Sequence, residues 1–307
     1  MKISNSGGLI LKKKHFALNQ EKTSYLMMAP FLILFFVFTV MPVFATIIIS
    51  FTDYNVLGTP NFVGWQNYIN LFVHDEIFMK SLSNTMVYAV ITGPVGYMLA
   101  FIVAWVLNEM GPFLRALLTF IVYVPTLSGT AYTIWNLIFD GDVYGYANSF
   151  LMSFGFIEEP IQWLTTEEYI LPIIIIVQLW MSMGVGFLAM RAGFSSVDKS
   201  LYEAAAVDGV KNRFQELFYI TIPAMGPHLM TAAILQITSM FANSAVSESL
   251  AGSPSTNYAG HLIIQHLNDY SSVRFQRGYA SAISVILFLM MIAMNKLVLK
   301  LLNRIGR

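Results

Sequence analysis

Six long apolar stretches leave this chain few ways to fold. They run over residues 25–51, 85–107, 114–139, 169–190, 222–246 and 279–298. A hydrocarbon layer about 30 Å thick needs roughly 20 mostly apolar residues to cross it as a helix, and each stretch meets that length. Within these limits Lys, Arg, Asp and Glu occur only at two edges, as Arg115 and Lys296. Only 11% of the residues are charged and 56% are hydrophobic, against about 25% charged in soluble domains. Such a composition cannot supply the polar skin of a water-soluble fold. The predicted class is therefore all-α and integral to a membrane, with six transmembrane helices. Pro30, Pro42 and Pro125 lie inside spans, where neighbouring helices and side chains can satisfy the freed carbonyls.

Charge sets the side on which each end lies. If the first span starts inside, the cytoplasmic segments are 1–24, 108–115, 191–221 and 296–307, and they hold 14 of the 17 Lys and Arg residues. Only Lys80, Arg274 and Arg277 fall on the other side. The expected topology is N-in, C-in: a cytoplasmic segment 1–24, a membrane domain 25–303 and a tail 304–307. Lys12, Lys13 and Lys14 precede the first span, yet its apolar run is longer than that of a secretory leader, so it reads as a retained helix. Three outer segments, 52–83, 140–168 and 247–278, each run to about 30 residues, longer than most connections. Their aromatics, among them Trp65, Tyr68, Trp163, Tyr258 and Tyr270, suit an interfacial belt, a cap over a path or a docking surface.

Several chemistries have no residues to perform them. There is no cysteine, which removes disulfides, thiolate metal sites and cysteine nucleophiles. No G-x-x-x-x-G-K-[ST] phosphate loop is present; the pair Gly141 and Gly145 lacks the lysine. The five histidines are scattered, with only His261 and His266 near each other, and they are assigned no metal role. A net charge of zero offers no footprint for nucleic acid. No enzymatic activity and no resident cofactor are expected.

The segment 191–221 between the fourth and fifth spans is unlike a bare connector. Ser195 with Asp198 three residues later is a helix-start signature. A short helix is predicted over Lys199–Val207, with Leu201, Ala204 and Ala205 on one face. Gly209 can take the left-handed conformation that ends it. A second amphipathic turn follows, with Phe214, Leu217 and Phe218 at i, i+3 and i+4. Such helices lie on lipid or pack on protein, and the small Ala204–Ala205 face favours protein.

Glu203-Ala204-Ala205, Gly209 and Ile220-Thr221-Ile222-Pro223 together resemble the EAA signature of binding-protein-dependent ABC importer permeases. Ile222 stands where that signature has Leu, and the spacer after Gly209 is one residue longer. Phe51 to Tyr54, Phe62 to Gly64 and Asn67-Tyr68 are similar to the entry region of maltose-type carbohydrate permeases. So are Asn84-Thr85, Arg115 with Pro125, Trp135 and Phe139, Arg191 to Gly193, and Gly278 to Ala280. The resemblance implies a bacterial cell-membrane subunit that pairs with a second permease. Two ATPase subunits carrying ATP and Mg would lie below it, and an extracytoplasmic binding protein would deliver the solute. It also implies that Glu203, Ala204, Ala205, Asp208, Gly209 and Pro223 belong to the coupling loop that docks in the ATPase.

A solute path should be lined by polar residues facing the bundle interior. Span 5 carries Gln236, Ser239, Asn243 and Ser247 on one face, span 4 carries Gln178 and Ser182, and span 3 carries Tyr132 and Asn136. None is charged, which fits a small neutral sugar better than an ion, although the same residue types also join helices to one another. A polyol or peptide importer remains open. A secondary transporter usually shows internal repeats and charged or broken coupling sites, and the sequence displays neither.

Overall fold

The structure, a computed structural model, describes residues 23–128 and 131–305. Most of the predicted cytoplasmic segment 1–24 and the last two residues of the tail lie outside the described residues. Among those described, the secondary structure is helical apart from one isolated bridge between Thr52 and Phe62. The helices are α1 (Thr23–Ile49), α2 (Glu76–Asn108), α3 (Pro112–Leu127) and α4 (Ala131–Ile138). There follow α5 (Tyr146–Ser153), α6 (Glu167–Met181), α7 (Val185–Ser196), α8 (Lys199–Val207) and α9 (Arg213–Glu216). The last four are α10 (Gly226–Ala242), α11 (Ala245–Ala251), α12 (Ile263–Asn268) and α13 (Arg277–Ile305).

Among the described residues five stretches are long and apolar enough to cross a membrane: α1, α2, α6 with α7, α10 with α11, and α13. The third predicted span is not one rod. It is α3 and α4, bent by 83° between them. Pro125 withholds one amide from the helix ladder, and Ser128 just beyond is extended at φ −101°, ψ 111°.

Small residues let the inner helices approach closely. Ala89, Gly93, Gly96, Ala100 and Ala104 recur every three or four residues along α2, so they share a face. All but Gly93 are buried. On α7, a Cβ added at Gly193 would lie 2.8 Å from His228 Cβ, and one at Gly186 would lie 3.3 Å from the Ala232 carbonyl of α10. In a membrane, where lipid is as apolar as leucine, such small-residue contacts supply the packing that holds helices together.

The outer segments fold back over one end of the bundle through buried side chains. Asn84 donates to the carbonyls of Tyr258 (3.0 Å) and His261 (3.1 Å), and the Ile263 amide donates to Thr85 Oγ1 (2.9 Å). Asn67 donates to the Ser50 and Thr52 carbonyls at 2.8 and 2.9 Å. A Cβ on Gly278 would lie 2.0 Å from the Thr52 carbonyl, while its amide donates to Tyr54 O at 2.8 Å. Asp75 caps α2 by accepting from the Phe78 amide, and it also accepts from Tyr279 (2.8 Å) and meets His266 (3.0 Å). Burial alone would raise the Asp75 carboxyl. The bonds from His266, Phe78 and Tyr279, with the His266 charge, outweigh it and hold the group at about 2.

Candidate functional site

A polar cavity lies within the bundle, and a helical loop joins α7 to α10. The cavity has a volume of about 350 Å³, within the range of small-molecule sites. Six of the eight residues that the sequence marks for a solute path line it: Tyr132, Gln178, Ser182, Gln236, Ser239 and Asn243. Among the described residues no Lys, Arg, Asp or Glu does.

The cavity sits where three spans interrupt their helices. The first break follows Leu127. The second passes through Ser182 to Gly184, with Gly184 at φ −102°, ψ −130°. The third is at Asn243 and Ser244, with Asn243 extended at φ −124°, ψ 123°. Helix ends release backbone donors and acceptors, and inside a membrane irregular backbone is tolerated where it lines a cavity. Internal bonds take part of the wall's polarity: Ser182 donates to Leu179 O at 2.6 Å and Asn243 Oδ1 accepts from Ala245 N at 2.8 Å.

Gln178 and Gln236 differ from these. They are 9% and 7% exposed, and neither carboxamide makes a hydrogen bond to another described residue. Both line the cavity, so their donors and acceptors face its space and can pair with water or with a polar solute. The other two polar candidates serve the framework. Asn136 donates to Ser249 O at 3.0 Å, away from the cavity, and Ser247 donates to Gly260 O at 2.7 Å.

The loop begins differently from its sequence signature. α7 runs through Ser195 to Ser196, and the residue that caps α8 is Asp198, whose carboxylate accepts from Ser200 N at 3.0 Å. Hydrogen bonding from the Ser200 amide, and then from its hydroxyl, holds the Asp198 carboxyl below its usual value. Helix α8 then covers Lys199–Val207 as expected. It ends in a Schellman arrangement: Val210 N bonds Ala205 O (3.0 Å), Gly209 N bonds Ala206 O (3.4 Å), and Gly209 has φ +94°. Glu203, Ala204, Asp208, Gly209 and Pro223 are exposed, whereas Ala205 is buried within the chain.

One contact closes the loop on itself and another fastens it to the bundle. Tyr202 OH and Thr221 Oγ1 are 2.9 Å apart. Arg213 lies 3.3 Å from Glu109 at the end of α2, where the Phe214 and Trp105 rings meet at 5.3 Å. Of the predicted amphipathic turn only Leu217 is buried; Phe214 and Phe218 remain 63% and 62% exposed. After α9 the chain makes a π turn over Leu217–Thr221, with Ile222 N bonded to Leu217 O. This wider turn takes up one residue more than an α turn and accommodates the longer spacer before Ile222-Pro223.

A polar cavity at helix breaks, joined through α2 to an exposed helix-and-glycine loop, is the anatomy of a transport subunit. The profile of the family described as "Binding-protein-dependent transport system inner membrane component" matches residues 94–307, more than half of the chain. The chain belongs to this family. The permease is accordingly a multi-pass membrane subunit, a transport component and not an enzyme. It is 29% identical over 286 residues to the "Probable ABC transporter permease protein YesP" of Bacillus subtilis (strain 168), covering 92% of this chain and 91% of that one. It is 30% identical over 288 residues to the arabinooligosaccharides transport system permease protein AraP of the same organism, covering 92% and 89%. Among solved structures it matches a chain of a bacterial alginate ABC transporter in complex with an alginate pentasaccharide-bound periplasmic protein. That match has a TM-score of 0.74 at 21% identity, over 95% of the permease and 97% of the other chain.

The small-residue face of α2 is the functional feature that the sequence reading passed over. Its signal was present, as Ala or Gly every three or four residues from Ala89 to Ala104. Hydropathy does not separate such a face from the leucines and valines around it.

Proposed function

We propose that this permease forms the path of an ATP-driven importer for a neutral sugar or short oligosaccharide. It would act with a second permease, two ATPase subunits that bind ATP and Mg, and an extracytoplasmic binding protein. The observation that carries the reading is the uncharged cavity, to which Gln178 and Gln236 present carboxamides that no other described residue bonds. Carboxamides both donate and accept, which suits hydroxyl groups. Tyr123 and Tyr132 supply ring surface for the apolar faces of a sugar. The relatives divide on charge, since AraP is named for arabinooligosaccharides and the solved transporter for alginate, an acidic polysaccharide. A wall without Lys or Arg supports the neutral class.

Work would enter through the loop 191–221, on the cytoplasmic side by the charge pattern. The exposed Glu203, Ala204, Asp208 and Gly209 form the face offered to the ATPase. Ala205 and Tyr202 turn towards the chain and hold that face in place. Closure of the ATPases would displace the loop as a rigid body, and the Arg213–Glu109 and Phe214–Trp105 contacts would carry the displacement to α2. The test is a transport panel on the assembled complex in proteoliposomes. Neutral oligosaccharides should be taken up with ATP, and uronate oligomers or peptides should not. Uptake of uronates or peptides in preference to neutral sugars would overturn the reading.

A further inference from the structure

Gln236 is gripped by glycines from two other helices. A Cβ at Gly96 on α2 would lie 3.0 Å from Gln236 Nε2 and 2.8 Å from Ser182 Oγ. A Cβ at Gly186 on α7 would lie 3.1 Å from Gln236 Oε1. One helix therefore presses on each end of the same carboxamide. The last torsion of a glutamine is intrinsically broad, and no hydrogen bond within the described residues fixes this one. Packing alone orients it.

We propose that Gly96 and Gly186 are positioning residues for specificity. By confining Gln236, they decide where the cavity presents its donor and its acceptor, and so which arrangement of sugar hydroxyls it accepts. This deepens the sugar reading and rests on it. An orientation fixed before the solute arrives costs nothing on binding, and selectivity among stereoisomers depends on holding polar groups close to the productive geometry.

The geometry also shows what yields when a methyl is added. A methyl at Gly96 would meet Ser182 Oγ at 2.8 Å and Ser182 Cβ at 3.0 Å as well as Gln236 Nε2 at 3.0 Å. Ser182, anchored to Leu179 O at 2.6 Å, must therefore shift too, while the long, unbonded Gln236 is the one of the two free to swing away. Gly186→Ala is a companion change whose nearest contact is Gln236 Oε1 at 3.1 Å, although its Cβ would also press on the Ala232 backbone oxygen at 3.3 Å.

The experiment uses the assembled complex and three variants: Gly96→Ala, Gln236→Ala and the double. Its readout is the ratio of uptake rates for two neutral oligosaccharides epimeric at one hydroxyl, in which any general loss of assembly cancels. Loss of one well-placed hydrogen bond corresponds to about tenfold. Gly96→Ala should lower the epimer ratio by about that factor, and the double should be no worse than Gln236→Ala. A further tenfold loss on adding Gly96→Ala to Gln236→Ala would overturn the proposal, since Gly96 would then act independently of Gln236. If Gly96→Ala fails to assemble while the double assembles, the clash with Gln236 is confirmed. If neither assembles, α2 packing through Ser182 is the whole effect and the proposal fails. Should the wild-type complex move no neutral sugar, the sugar reading fails by itself. The coupling is then read from thermal unfolding of the same variants, where non-additive shifts support the grip and additive shifts refute it.

Discussion

The Schellman turn at Gly209 gives the sharpest test of the loop. Gly209 sits at φ +94°, and a Cβ placed there would meet nothing within 4 Å. Substitution therefore brings backbone strain without a clash. For an L-residue the left-handed region costs roughly 1–2 kcal/mol, more for a β-branched side chain and less for Asn. That range corresponds to a factor of about 5–30 in population. If the ATPase recognises this turn, its apparent affinity falls by the fraction of loops still in the competent shape. Gly209→Asn should stay close to wild type, Gly209→Ala should lose up to about tenfold, and Gly209→Val should lose most. The assay is co-purification of the ATPase subunits with tagged permease from solubilised membranes, alongside ATP-driven uptake. Equal retention of ATPase across Asn, Ala and Val would refute the reasoning, as would wild-type uptake by Gly209→Val.

Three further outcomes follow from the same structure. Gln178→Leu keeps the volume and removes a carboxamide that lines the cavity and that no described residue bonds, so the complex should keep its stability to heat and bind neutral sugar about tenfold more weakly; unchanged affinity would remove Gln178 from the site. Gly278→Ala drives a methyl to 2.0 Å from the Thr52 carbonyl, and the cost of about 3 kcal/mol should appear as a lowered unfolding temperature, which an unchanged melt would contradict. His261 is held down to about 4 by burial and by His266, with Asp269 opposing. Its neutral form therefore stabilises the outer segment fully above about pH 6.5, and that support is lost as pH falls from there towards 4. The loss is on the order of 2 kcal/mol at pH 5, while Asp75 stays ionised throughout. Amide protection over 259–266, the intrinsic rate at each pH divided by the observed rate, should fall between pH 7 and pH 5 in the wild type and fall less in His261→Phe; equal protection at both pH values in the wild type would contradict this.

The spans were legible because apolar length is a property of single segments. The bend between α3 and α4 was not, because Pro125 marks a possible break and only the surroundings decide whether it opens. The solute stripes were read from helical spacing, which is why Gln178, Ser182, Gln236 and Asn243 share one cavity. The same spacing misplaced Asn136 and Ser247, since periodicity cannot tell a cavity wall from a helix contact. Asn84, Thr85 and Gly278 were noticed by resemblance alone. Their reasons are carbonyl and amide groups of Tyr258, Ile263 and Thr52, all brought there by tertiary folding. Helix α8 was read with its limits correct, but the cap went to Asp198 because α7 continues past Ser195.

The most direct test of the central claim is sugar uptake into proteoliposomes that hold the tagged permease with every subunit that co-purifies with it. ATP should be placed on the ATPase side and the binding protein on the other. The expected result is co-purification of a second permease and ATPase subunits, with accumulation of a neutral oligosaccharide that requires both ATP and binding protein. Accumulation by the permease alone, driven by an ion gradient and indifferent to ATP, would contradict it.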